Sequence, residues 1–543
     1  MKQLNFNRRK FLQTSSLLTA GSFLLPLSRL SSQNKQMNIL CITCEDISPM
    51  LGCFGDKETK TPNLDQLASE GIKFTNLFSC SGVCAPSRFA LITGMYPSAC
   101  GANNMRTSSY LPDGVPPYEA VPRSEVKCVS EYLRANGYYC TNNQKTDYQF
   151  KLPITAWDEC SNRAYWKNRP KGMPFFAIFN LTTTHESQVW DRANDPVTIR
   201  PEDVHVPPYF PDTLIIRRDI ARVYNNITVM DREVGELIEE VNKAGLLEET
   251  IIIFYSDHGG PLPRGKRELY DTGLNAPMII RFPDRRHAGT EVDDLISFVD
   301  IPPTIMSMAG IKPPEYLHGR AFLGKHKSEP REYIFAARDR MDSEYDVRRA
   351  VRDKHFKYIR NYRPEIGCYQ DIKFRKNLGS MQELLRLRDE GKLNKEQMYW
   401  FRKAKSPEEL YDLLNDHYEL NNIADDPAYR DELIRLRKIH AKWLKEIGDD
   451  PLRSEKELVW SMWQGGVQPI TEAPKIFRNG DFIKITCATE GASIAYQVND
   501  EGYAKDHWFL YTKPFKIEPG NEITATAIRI GYRQSEIVSW KYK

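Results

Sequence analysis

The chain has 543 residues, 75 lysines and arginines against 72 aspartates and glutamates, a formal net charge of +3 and a mean hydropathy of −0.54. That balance gives no dominant basic face, so it excludes a nucleic-acid binder working by bulk charge and leaves only local basic patches for an anionic ligand. The length is ample for a large core and for two to four domains.

Arg8-Arg9-Lys10-Phe11-Leu12 precedes a modestly apolar stretch to Leu27. It predicts a twin-arginine export signal over residues 1–35, because the run is too short and too rich in Ser, Thr and Gly for a bilayer span. No later stretch is apolar enough to form a stable membrane span. Nine of the 11 cysteines lie in the first third; an exported chain could pair some of them, while Cys41 and Cys44 lack the second CxxC that a zinc site needs.

Residues 38–43 form a continuous apolar run, which predicts a buried parallel strand ending at Glu45-Asp46. Acids at the carboxyl end of such a strand stand where open α/β sheets bind ligands, with a plain surface loop as the alternative. Thr61-Pro62-Asn63-Leu64-Asp65 predicts a helix with a Thr61 cap and a proline in its first turn. In Cys84-Ala85-Pro86-Ser87-Arg88 the proline marks another helix start. Cys84 then lies among unpaired N–H groups with Arg88 one turn along, and reads as a nucleophile or as a buried or disulfide-bonded cysteine.

A helix is expected over residues 126–136, closed by Gly137, then a strand over 138–141 with Lys145 and Asp147 beyond it. Residues 175–179 predict a second buried strand, leading to His185. Ile220, Val223, Ile227, Met230, Val234, Leu237, Ile238 and Val241 are spaced for one long amphipathic helix with Gly245 near its end. A strand over 251–255 follows, then the loop Ser256-Asp257-His258-Gly259, then Arg264-Gly265-Lys266-Arg267 and a strand over 278–282. Strands alternating with helices predict an α/β fold, a doubly wound, mostly parallel sheet sandwiched by helices. Strands near 333–337, 347–351 and 357–362 and a helix through Leu433, Leu436, Ile439, Trp443 and Ile447 predict a smaller α+β subdomain. Short alternating strands from about Ile476 predict a C-terminal β-sandwich. The expected divisions are 1–35, 36–325, 326–455 and 474–543.

Together these stretches resemble a type I sulfatase of the alkaline phosphatase superfamily over roughly residues 37–450. Cys84-x-Pro86-x-Arg88 matches the family's signature, and the acidic pair, the 61–65 element, the 256–259 loop and Lys266 occur in the family's order. The tail is similar to the small β-sandwich of some chitobiases and hexosaminidases. The resemblance implies that a formylglycine-generating maturation enzyme converts Cys84 to formylglycine (3-oxoalanine). It implies that Glu45, Asp46, Asp257 and His258, with residue 84, hold a divalent metal, Ca²⁺ or alternatively Mg²⁺. A hydroxyl of the hydrated aldehyde, oriented by Arg88, would attack sulfur, with Lys145, Lys266 and His185 holding sulfate oxygens and protonating the leaving group.

Three departures stand out. Glu45 replaces the usual Asp, His258 stands where Asn is frequent, and Asp147-Tyr148 occupies positions where the family commonly has a histidine base. Asp147 is the expected substitute, with a helix cap as the alternative. Arg106, Arg264, Arg267, Arg338 and Arg340 are candidate contacts to an anionic polymer, each with a salt bridge as its plain alternative. Export and the carbohydrate-enzyme-like tail favour a sulfated polysaccharide or oligosaccharide, met in the periplasm or after secretion, with no nucleic-acid partner. The nearest resemblance is to bacterial sulfatases labelled N-sulfoglucosamine sulfohydrolases, and ulvan stays open. The competing readings are a phosphate or phosphonate ester hydrolase on the same fold, and a non-catalytic glycan-binding protein with Cys84 unmodified.

Overall fold

The computed structural model describes residues 36–499 and 507–542; the expected export signal lies outside them. Its centre is a nine-stranded sheet of β1 (Asn38–Cys44), β2 (Ile72–Phe78), β3 (Tyr139–Asn143), β4 (Glu159–Cys160), β5 (Phe175–Leu181), β6 (Thr250–Ser256), β7 (Asn275–Arg281), β8 (Thr290–Val292) and β9 (Ile296–Ser297). The order is β4-β3-β5-β1-β6-β7-β2-β8, with β9 also on β2. Every residue of β1 and of β6 is buried, as expected of parallel strands covered on both faces.

Side chains alternate across β1 and β6. Ile39, Cys41, Ile251 and Ile253 pack into one core with the helix Cys84–Thr93 and the helix Ile301–Met308. Leu40, Ile42, Ile252 and Phe254 pack into another with the helix Pro62–Glu70 and the helix Leu214–Lys243. This is the three-layer arrangement read from the sequence, with one difference. β7 runs antiparallel to both β6 and β2, so the loop between β6 and β7 leaves and re-enters the sheet at the same end. That end is the carboxyl end of β1, β5 and β6, where the candidate site lies.

Two local expectations change. Thr61 does not cap its helix, because its hydroxyl accepts from Gly52 N–H (3.0 Å) and bonds to Asp65. Asp231, reaching across from the long helix, takes the N–H groups of Asn63 (3.2 Å) and Leu64 (2.8 Å) instead. The helix expected over residues 126–136 is Val129–Ala135, because Cys128 N–H donates to Glu131 in a capping box that sets the first turn.

A second sheet, β10 (Ile334–Arg338), β11 (Arg348–Arg352), β12 (Phe356–Asn361) and β13 (Glu408–Asp412), is antiparallel throughout. The helix Arg430–Ile447 buries Leu433 and Leu436 against Val351, Phe356, Tyr358 and Leu410. The tail forms a two-stranded sheet of β14 (Lys475–Asn479) and β15 (Phe482–Thr486). Beside it is a four-stranded one of β16 (Ser493–Val498), β17 (Phe509–Leu510), β18 (Glu522–Ile528) and β19 (Val538–Lys541). Ile483, Ile485, Ile494, Ile523, Ala525 and Ala527 fill the space between them. No helix among the described residues is long and apolar enough to cross a membrane.

Candidate active site

Cys84 is the first residue of the helix Cys84–Thr93 and is buried. Burial pushes its thiol up to about 11, so the side chain is a neutral thiol at physiological pH rather than a thiolate nucleophile. None of the eleven cysteines, all within the described residues, forms a disulfide. Thus both plain alternatives for Cys84 narrow to a buried free thiol facing a cavity of about 370 Å³, lined also by Arg106, His185, Lys266 and Arg267.

Beneath it the strand ends deliver charge. Arg88, on the same helix, donates from Nε to Asp257 Oδ2 (3.1 Å), from Nη2 to Glu45 Oε1 (3.2 Å) and from Nη1 to Asn180 Oδ1 (2.7 Å). One guanidinium therefore ties the ends of β1, β5 and β6 together. Lys266 reaches Asp46 Oδ2 (2.5 Å) and Glu186 Oε1 (3.5 Å). Lys145 pairs with Glu45 and, at 3.4 Å, with Asp147 Oδ2. Arg267 clasps Glu186 with both terminal nitrogens. Four buried carboxylates, Glu45, Asp46, Glu186 and Asp257, thus face four cations, Arg88, Lys145, Lys266 and Arg267. A neutral set of this kind accepts a divalent cation and an anionic ester as a matched pair.

Asp46, Asp257 and His258 bring ligand atoms within 4.8 Å of one another. His258 Nδ1 lies 3.0 Å from the carbonyl oxygen of Gly259 and must carry a proton to bond there. In the neutral ring that leaves a lone pair on Nε2, which faces Asp46 Oδ1 at 2.9 Å, and neither atom has a hydrogen-bond partner. Two lone pairs directed at each other, both buried, fit a shared cation. Burial alone would raise the Asp46 carboxyl, but the Lys266 ammonium beside it holds it well below its usual range. Glu45 and Cys84 stand outside this trio. Glu45 is engaged by Arg88 and Lys145, with His185 Nε2 3.9 Å from it.

His185 follows β5. Ser187 N–H donates to its Nδ1 (3.2 Å), so a neutral ring carries its proton on Nε2, toward the pocket. Burial, and next Lys266, keep its pKa below the usual histidine value. Asp147 sits in a left-handed backbone conformation (φ 47°), as do Asp46, Arg106 and Arg267 around the same pocket. Such strain gathers at functional sites.

The candidate arginines separate. Arg106 and Arg267 line the pocket. Arg264 lies between the rings of Tyr209 and Tyr270 and donates to the carbonyl of Glu419 (2.9 Å). Arg338 is buried against Asp346 (2.9 Å), and Arg340 against Glu455 (2.8 Å). These three are held as structural cations and do not themselves line the reaction pocket. The sequence reading passed over Glu186, although an acid directly after His185 at a strand end was a usable signal. It also passed over Asp342, Ser343, Lys373 and Phe374, which line the pocket from the second sheet's loops and carry no local signal.

The chain matches the sulfatase family over residues 37–311 and the C-terminal region of N-sulphoglucosamine sulphohydrolase over residues 264–397. It is 49% identical over 539 residues to an ulvan-active sulfatase of Formosa agariphila, covering 92% of this chain and 90% of that protein. It is 26% identical over 470 residues to human N-sulphoglucosamine sulphohydrolase, covering 76% and 90% respectively. Among solved structures, BT4656 in complex with D-glucosamine-2-N,6-O-disulfate superposes with a TM-score of 0.56 at 17% identity, over 77% of this chain and 99% of that one. The phosphonate monoester hydrolase of Agrobacterium radiobacter gives 0.55 at 18% identity, over 77% and 97%.

Proposed function

Because the chain belongs to the sulfatase family and is a sulfuric ester hydrolase, we propose that it removes sulfate from an algal polysaccharide of the ulvan type, using residue 84 after conversion of Cys84 to formylglycine. The observation that carries this reading is the placement of Cys84 at a helix start, over matched carboxylates and cations. The substrate rests on the relative at 49% identity. A glucosamine N-sulfate is the second reading, favoured by the match over residues 264–397.

In this mechanism Lys145, Lys266 and His185 grip the sulfate oxygens. Arg88 fixes Glu45 and Asp257 so that the floor of the site does not shift as charge develops. His185, through its Nε2–H, is the proton donor to the departing sugar oxygen. Asp147, beside Lys145, is the proton acceptor when the sulfated residue is released. Asp46, Asp257 and His258, with Glu45 adjacent, would hold Ca²⁺, or Mg²⁺ as the alternative; a hard cation there neutralises charge on sulfate and on residue 84. Residues 36–325 supply this machinery, loops of 326–455 close the pocket, and 474–543 form a separate β-sandwich module. The setting is the periplasm or the exterior, and the maturation enzyme is the partner that modifies Cys84.

The test joins two measurements on protein made in a host with a formylglycine-generating enzyme. The Cys84 peptide should carry the aldehyde mass. Sulfate release from ulvan fragments should be abolished in Cys84→Ala and restored by Ca²⁺ after chelation. Active protein with an unmodified thiol, or faster turnover of phosphate than of sulfate esters, would overturn the reading.

A further inference from the structure

The reaction pocket does not end at Arg106 and Asp342. A second open cavity of about 660 Å³ lies beside it, and the two share Tyr110 and Ser343 in their walls. Resting on the sulfatase reading above, we propose that this groove binds the saccharide units adjoining the one that loses its sulfate, so that the substrate is an anionic chain and not a single sugar.

The floor of the groove is rigid and charge-neutral. Arg340 donates from Nε and Nη2 to the two carboxylate oxygens of Glu455, both at 2.8 Å. Tyr118 donates its hydroxyl proton to Glu455 (2.9 Å) and accepts from Asn104 (3.0 Å). Arg340 also donates from Nη1 to the carbonyls of Met105 (3.0 Å) and Asp342 (2.6 Å), so the groove floor and the pocket rim are one hydrogen-bonded unit. At the junction Arg106, Tyr110 and Asp342 all have positive φ, 67°, 57° and 52°. A tyrosine in that conformation is costly, and here it stands 61% exposed at the passage between the two cavities.

The walls have the chemistry of a sulfated or uronic-acid-bearing sugar chain. Tyr110, Tyr345 and Tyr362 offer aromatic faces. Arg453 and Lys456 form no ion pair among the described residues, so their charge is left for a ligand; Arg363 is shared with Glu365 (2.6 Å). Lys456 lies in the first turn of the helix Glu455–Met462. A cation there opposes the helix dipole; it lies over the Trp460 ring, 5.4 Å from the centroid, a contact that leaves its charge unneutralised. What it does is raise the positive potential over the groove.

The test compares a sulfated monosaccharide with ulvan oligosaccharides of increasing length. In the unmodified sequence kcat/KM should rise with length, by about tenfold once the groove is filled. In R453A/K456A that rise should vanish through a higher KM, with kcat on the long substrate retained. Calorimetric binding of the same oligosaccharides to Cys84→Ser protein should weaken in parallel, and thermal melts would exclude misfolding. A length series already flat in the unmodified sequence, or a variant whose ratio of long to short substrate is unchanged, would overturn the groove. Failure to release sulfate from any ester would instead sink the sulfatase chemistry on which the groove rests.

Discussion

Asp147 is where the chemistry is most exposed to test. It is within 3.4 Å of Lys145 and stands in strained backbone, which a mere partner for a lysine does not require. Asp147→Asn keeps the shape and removes the basic oxygen. Its kcat should fall by about 10²–10⁴, with KM for the ester little changed, and Asp147→Glu should recover part of the loss. Equal effects on kcat and KM would make Asp147 a positioning residue for Lys145. At this scale the sequence was informative wherever a residue sits at a strand end or helix start, as Asp46, Cys84, Asp257 and His185 do. It was uninformative for arginines. Arg340 finds Glu455 115 residues away, and nothing near Arg340 distinguishes that bond from a contact with substrate.

Among the elements, the helix Arg430–Ile447 couples fold to pH. His440 on it is buried near Tyr358 and Trp443, and burial, then Arg349, lower its pKa to about 4. The unfolded chain takes up this proton near pH 6.5, whereas the folded chain refuses it until about pH 4. Stability is therefore full above pH 6.5 and falls as pH drops through that window, by roughly 3 kcal/mol at most from this group. Melting curves should show that slope, and His440→Phe should flatten it while leaving the melt at pH 8 nearly in place; an unchanged slope would assign it elsewhere. The helix itself was legible from its apolar spacing. The direction of β7 was not, because a buried apolar strand reads alike in either direction. β13 was missed because its alternation is broken by Glu408, Glu409 and Asp412, which bind arginines, a tyrosine, an asparagine and a histidine of the neighbouring structure.

Over the whole molecule, the tail is fastened to the sheet domain by polar contacts. His507 lies 2.8 Å from Asp158, Arg134 donates to the Trp508 carbonyl (2.7 Å), and the Trp463 indole donates to the Gly531 carbonyl (3.1 Å). Ending the chain at residue 473 removes the tail-side partners of all three, each costing about 1–3 kcal/mol where the group left behind is buried. The shortened protein should melt several degrees lower, yet release sulfate from a small ester at a comparable rate, since none of the described residues beyond 473 lines the reaction pocket. An unchanged melting temperature would show that the tail hangs loosely on the core.

The eleven unpaired thiols have a consequence for manufacture. Burial raises ten of them above their ordinary pKa, so they react slowly with oxidants and alkylating reagents alike. No step of folding waits on an oxidase or an isomerase, and glutathione has nothing to reduce. A chain without disulfides can therefore fold in reducing or oxidising surroundings alike, and under the function proposed above the one sulfur to be edited is that of Cys84.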